Sequence, residues 1–146
     1  MHMEYRLLII NYKKMPGDID KKTTVHFYDL DVWKKAHSMS LEIYKVTENF
    51  PKKELYGIID QVRRSASSVG ANIAEGCGRF HYKEKIKFYY NARGSAYEVQ
   101  NFIFLSQDLE YIDRRKARGM FLEYEDLIKQ INSIVGSINK RIIDNK

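Results

Sequence analysis

With 146 residues, 44% hydrophobic and 30% charged, the chain has the length and composition of one globular domain that can bury about 70% of its unfolded surface, which excludes disorder on the scale of the whole chain. The net charge of +6 and pI near 9.3 suit ordinary surface charge or a polyanionic partner, such as nucleic acid or an anionic membrane surface. A single cysteine, Cys77, excludes an intrachain disulfide, and no apolar run nears the roughly 18 residues of a membrane span, so the expected location is cytoplasmic.

Residues 1–26 read as an N-terminal extension, strand-like or a loose arm. They combine an apolar patch from Tyr5 to Ile10 with the loop-like Pro16-Gly17-Asp18. Leu7 to Ile10 is too short even for the apolar region of a signal peptide. From residue 27 to 146 helical periodicity dominates. A first helix is expected from Asp31 to Asn49, with Asp29 or Asp31 as N-cap. Trp33, Ala36, Ser40, Ile43, Tyr44 and Thr47 share one face, and Phe50-Pro51 ends the helix. A second runs from Lys53 to Gly76 with Ile58, Val62, Ala66, Val69 and Ile73 as its core stripe. Gly76, Gly78 and Arg79 supply the stop, on the argument that glycine fits the left-handed position after a helix.

The third helix spans Tyr82 to Leu109 and the fourth Asp113 to Ile143. In the fourth, Met120, Tyr124, Leu127, Ile131, Ile134, Val135, Ile138 and Ile142 fall within a narrow arc at the helical period. Gly94, Gly119 and Gly136 each weaken their helices by about 1 kcal/mol relative to alanine. Short loops between four such helices predict an all-α fold, an up-and-down antiparallel four-helix bundle.

Two helices show more than one patterned face. On the third, Phe88, Ala92, Ser95, Val99, Phe102, Ile103 and Ser106 form a core side. Ile86, Tyr90, Tyr97 and Phe104 form an opposite stripe, with Arg93 and Asn101 among them. A monomeric bundle needs one such side, and aromatics are enriched at subunit contacts, so the stripe predicts an oligomer interface. On the second helix Ser67, Gly70, Ala71 and Ala74 make a strip of small residues. Gln61, Arg64, Ser65, Ser68, Asn72, Glu75 and Arg79 line up opposite the core, as a solvated face or as a polar seam between helices or subunits.

The chemistry-bearing residues do not assemble into a catalytic pattern. A bundle di-iron site needs Glu-x-x-His, which the sequence lacks; His2, His26, His37 and His81 are dispersed without zinc spacing. Cys77 and His81 straddle a helix end with no third orienting group. Glu75 to Arg79 ends a helix, where a phosphate loop would begin one. The expectation is no enzyme, no metal and no cofactor. Basic residues do cluster, with Arg79, His81, Lys83, Lys85 and Lys87 around the second turn and Lys140, Arg141 and Lys146 expected at the same end. Arg114, Arg115, Lys116 and Arg118 lie at the other, near Lys52 and Lys53. Such patches suit phosphate contacts, and Phe80, Tyr82, Tyr89 and Tyr90 interleaved among them suit stacking on unpaired bases.

Several blocks carry a resemblance: Phe27 to Ala36, Phe50-Pro51, Glu54 to Gly57, Gln61 to Ala66, Ser68, Asn72-Ile73-Ala74-Glu75-Gly76, Gly78-Arg79, and Ala92 to Ser95 with Glu98. Together they resemble a bacterial family of four-helix-bundle proteins associated with 23S rRNA, some encoded within intervening sequences of 23S rRNA genes. The likeness covers about residues 27–143, and Asn72, Glu75 and Gly76 mark its most specific block. Where most members carry proline or a bulkier apolar residue before Ala71-Asn72-Ile73, this chain has Gly70, which leaves the helix geometry there open. The resemblance implies a homopentameric ring without catalytic residues. The family is also similar to the accessory protein of diversity-generating retroelements, a pentamer that partners a reverse transcriptase and binds nucleic acid. The expected function is a ring-forming RNA-associated bundle with 23S rRNA as its partner and Arg64, Arg79, Lys83, Lys85 and Lys87 as RNA contacts. The alternatives are an accessory protein that docks a partner enzyme, and an interaction protein with no nucleic-acid role.

Overall fold

The computed structural model describes residues 25–146. The extension expected over residues 1–26 lies outside that range except for Val25 and His26. A 3₁₀ turn, Phe27–Asp29, leads into α1 (Asp31–Thr47); a second, Lys52–Glu54, precedes α2 (Ile58–Cys77), followed by α3 (Tyr82–Asp108) and α4 (Arg114–Asp144). Each helix packs on its neighbours in the chain, and α1 also meets α4, so the expected all-α up-and-down bundle is what forms. No strand occurs among the described residues.

The centre of the bundle is a layer of Ile43, Val69, Ile73, Val99, Leu127 and Ile131, each no more than 1% exposed. The core stripes read from α2 and α4 bury as expected, Ile134 and Ile142 only partly. On α1, Ser40 is half-buried and Tyr44 exposed, while Val32 and Met39 take core positions instead. Tyr44 has a different partner, the Arg63 guanidinium 4.7 Å from its ring centre. Arg63 also donates to the Thr47 hydroxyl at 2.9 Å, tying α1 to α2 through a residue that reads as surface.

The helix ends differ in instructive ways. Neither Asp29 nor Asp31 caps α1: Leu30 holds the extended N-cap conformation without a side-chain bond. Asp31 is the first helical residue, where its carboxylate still faces the positive end of the helix dipole. α2 starts five residues later than Lys53, because Glu54 organises the connection instead. One carboxylate oxygen accepts from the Tyr111 hydroxyl at 2.8 Å, the other from the Ile58 amide at 3.4 Å. Asp113 does cap α4, accepting from the Lys116 amide at 2.8 Å.

Two glycines depart from the expectation for the end of α2. Gly78 is right-handed (φ −76), so left-handed freedom does not end α2. Gly76 lies inside the helix and buried; a Cβ there would meet Phe88 and Tyr89 at 3.1 Å, so the glycine serves close α2–α3 packing. The left-handed residue among the described non-glycines is Glu110 (φ 61), after α3. There the Tyr111 amide donates to Ser106 O and the Glu110 amide to Gln107 O, both at 2.9 Å, the double closure that terminates a helix with a left-handed residue. α2 also runs unbroken through Gly70, where an added Cβ would meet the Trp33 indole nitrogen at 3.6 Å, an ordinary van der Waals contact.

Candidate nucleic-acid interface

The turn between α2 and α3 is held shut from inside. Lys85, one turn into α3, reaches back and donates to Gly76 O at 2.9 Å and Cys77 O at 3.1 Å, the last carbonyls of α2. An ammonium on those carbonyls both satisfies them and complements the negative end of the helix dipole. This removes Lys85 from the set of free cations expected here. Cys77 is half-buried, close enough to Tyr89 to contribute to that phenol's shift; burial first, then the cysteine, pushes Tyr89 up to about 12. A nucleophile–base arrangement with His81 gains no support from that placement.

Around this clamp the remaining cations are exposed. Lys83 and Lys87 project from the first turns of α3, and neither pairs with a carboxylate among the described residues. Arg79 sits 3.6 Å from Glu75, a loose pair, with its guanidinium 4.8 Å over the Phe88 ring. Arg141 of α4 joins the same end, donating to the Tyr82 hydroxyl at 2.7 Å. Arg64 does not join it. Fifteen residues before Arg79, it lies roughly 20 Å away along α2 and pairs with Asp60 at 3.0 Å.

The opposite end carries cations too, but with more carboxylates among them. Lys116 bonds Glu42 across the α1–α4 seam, and Asp108, Glu110 and Asp113 accompany Arg114, Arg115 and Arg118. A groove of about 550 Å³ opens between α1 and α4, lined by Met39, Gly119, Met120 and Tyr124. None of the expected RNA-contact or interface residues lines it.

The stripe on α3 divides. Tyr90, Tyr97 and Phe104 are 40%, 51% and 54% exposed, so three aromatic rings do share an open face. Ile86 is 6% exposed and belongs to the core, which corrects its place in the stripe. Helix axes cross at an angle, so the arc a neighbour covers drifts along the helix. Phe104 also leans on Phe121 of α4, ring centres 5.0 Å apart, and Arg93 reaches Asn132 at 2.8 Å.

The polar line on α2 divides as well. Ser65 is buried, and Ser68 meets Ser95 of α3 at 3.0 Å while accepting from Asn72 at 3.0 Å. Asn72 and Ser68 are therefore part of a seam between α2 and α3, whereas Gln61, Arg64, Glu75 and Arg79 face solvent. In the Asn72-Ile73-Ala74-Glu75-Gly76 block, Asn72 bridges to that seam, Ile73 fills the core and Gly76 admits α3. Its spacing could have signalled a helix contact before any RNA contact. Among the described residues no His, Cys, Asp and Glu gather in a group able to hold a metal ion. No helix there is long and apolar enough to cross a membrane.

Comparison with known proteins agrees with this architecture. No curated protein matches the chain. Among solved structures, a protein of unknown function from the S23 ribosomal protein family of Bacteroides thetaiotaomicron is similar at 25% identity. That match has a TM-score of 0.65 and covers 71% of this chain and 97% of the other. A family model described as 23S rRNA-intervening sequence protein matches residues 28–133, which include all of α1, α2 and α3 and most of α4. The chain belongs to the 23S rRNA-intervening sequence protein family.

Proposed function

We propose that this protein is a non-enzymatic, RNA-associated bundle of the cytoplasm that acts as a ring of identical subunits, with 23S rRNA as its partner. The observation that carries the RNA reading is the set of exposed cations at the α2–α3 end, Arg79, Lys83 and Lys87, in a chain whose family is named for 23S rRNA. Of these, Lys83 and Lys87 have no carboxylate partner among the described residues, and such exposed cations bind phosphates at the expense of condensed counterions, giving affinity without base readout. The test is a filter-binding titration of 23S rRNA fragments at several salt concentrations. Affinity should fall steeply with salt, and a Lys83→Glu, Lys87→Glu double variant should flatten the slope by about 2. Absence of binding at low salt would transfer the function to a protein partner.

The ring reading is supported by the open face of α3. Between Tyr90 and Tyr97 lies Gly94, and a Cβ there would meet nothing within 4 Å. Glycine weakens a helix by about 1 kcal/mol, and packing inside the subunit gives no reason for it. An approaching second copy supplies one. Five is the number the family resemblance suggests. Tyr97→Glu should dissociate the assembly by light scattering while leaving helical circular dichroism intact; a wild-type monomer at micromolar concentration would end this reading.

A further inference from the structure

We propose that the α2–α3 turn is a stacking site for one unpaired base of a single-stranded polynucleotide, with Phe80 as the platform and Arg79, Lys83 and Lys87 as contacts to the flanking phosphates. The inference rests on the RNA reading above and adds which part of an RNA this turn takes.

Phe80 is 89% exposed at the tip of the turn. Single exposed aromatics are common on protein surfaces, so exposure alone says little. The surroundings decide. From Arg79 to Lys87 the sequence holds four cations and a single acidic residue, Glu84, and Lys85 already clamps the end of α2. The turn is thereby fixed, with Arg79 next to Phe80 in the chain and Lys83 and Lys87 exposed in the first two turns of α3. Phe88 has the Arg79 guanidinium 4.8 Å over its ring, and Tyr82 has that of Arg141 at 5.5 Å. Phe80 meets the His81 ring edge-on instead, at 5.2 Å and 88°, which orients it and leaves it open to solvent.

An exposed apolar ring in a cation-rich stretch of chain fits a nucleotide whose base is free to leave its own stack. In a duplex the bases stack on one another, so a duplex could use the cations but not the ring. Every base has a π face, so the site tolerates any sequence. Tyr56 is the internal control. It is 92% exposed on the α1–α2 connection beside Lys52 and Lys53, but the neighbouring Glu54 and Glu48 offset that charge.

The test measures binding of the full-length protein to labelled single-stranded RNA, the matching single-stranded DNA, and an RNA duplex at one fixed salt concentration. Phe80→Ala should weaken both single strands by roughly 5- to 150-fold, leave the duplex unchanged, and be rescued by Phe80→Tyr. Tyr56→Ala should change none of the three. Phe80→Trp adds a spectroscopic readout: single strands should quench its fluorescence, while Trp33, 9% exposed, gives a constant background. A loss confined to RNA would replace base stacking by ribose contact and overturn the proposal. Unchanged single-strand affinity in Phe80→Ala, with the Lys83 and Lys87 reversal still effective, would overturn stacking and leave the RNA reading standing. No binding of any strand at low salt would remove both.

Discussion

Where α1 hands over to α2 and α3 to α4, charged and aromatic groups are knitted together. Glu54 accepts from Tyr111, whose ring lies 5.3 Å from the buried Phe50, while Lys116 bonds Glu42 and its amide is capped by Asp113. At the α2–α3 end Lys85 is engaged on backbone carbonyls and Arg79 loosely on Glu75, while Lys83 and Lys87 face water on the helix that follows the open Phe80 ring. Both ends are rich in lysine and arginine. Attraction for a polyanion follows the net local charge: residues 108–118 hold four cations and three carboxylates, residues 79–87 four cations and one.

The largest effect expected concerns how the α2–α3 end is built. Gly76→Val would drive methyl groups into Phe88 and Tyr89 and should destabilise the fold by about 2–3 kcal/mol in urea unfolding. A loss below about 0.5 kcal/mol would mean that α3 can step back and that the close approach is incidental. Next comes the charge comparison itself. Arg114→Glu with Arg115→Glu should leave RNA affinity close to that of the wild type, whereas the Lys83 and Lys87 reversal should lower it about tenfold or more at low salt. Equal losses from the two double variants would erase the distinction between the ends.

At the knitted end, Glu110 holds a left-handed conformation that favours glycine. Glu110→Gly should therefore raise stability by about 1 kcal/mol, and a decrease would show that the glutamate side chain contributes more than its backbone strain removes. The smallest effect is a titration. His37 stacks on Trp33 at 4.8 Å, and burial lowers its pKa. The unfolded chain then takes up a proton that the fold resists. Stability is complete above the unfolded value near 6.5 and declines as pH falls from there towards the lowered folded value. His37→Phe should flatten that part of a melting-temperature profile between pH 7 and 5.

The helices were legible because each buries a continuous stripe at the helical period, and Ile58 to Ile73 or Met120 to Ile138 suffices to locate one. Their ends were less so, because the groups that set them act across the chain. Nothing local to Glu54 shows that it will bind Tyr111, 57 residues away, or that Lys85 will close α2. The same limit applies to the candidate site. Spacing singled out Arg79, Lys83, Lys85 and Lys87 together, yet only contact geometry separates the structural lysine from the free ones. Ile86 and Phe104 stand at equivalent angles on α3, and burial of one but not the other depends on how α4 crosses.

The helices are also unequal in length: α1 has 17 residues and α4 has 31, about 25 Å against about 46 Å. Glu42 bonds Lys116, and Lys35 bonds Glu123 and Asp126, which sets the two antiparallel with α1 beginning near the middle of α4. Beyond that point the C-terminal half of α4 runs on without α1 alongside, and its last turns, Arg141 to Asp144, are largely exposed. Local unfolding there requires few apolar contacts to separate, so the amides of these turns should exchange with solvent earliest among the helices. The end that presents the cations is thus the one that opens most readily. A polyanion bound across Lys83 and Arg141 would slow that exchange before it altered the melting of the whole domain.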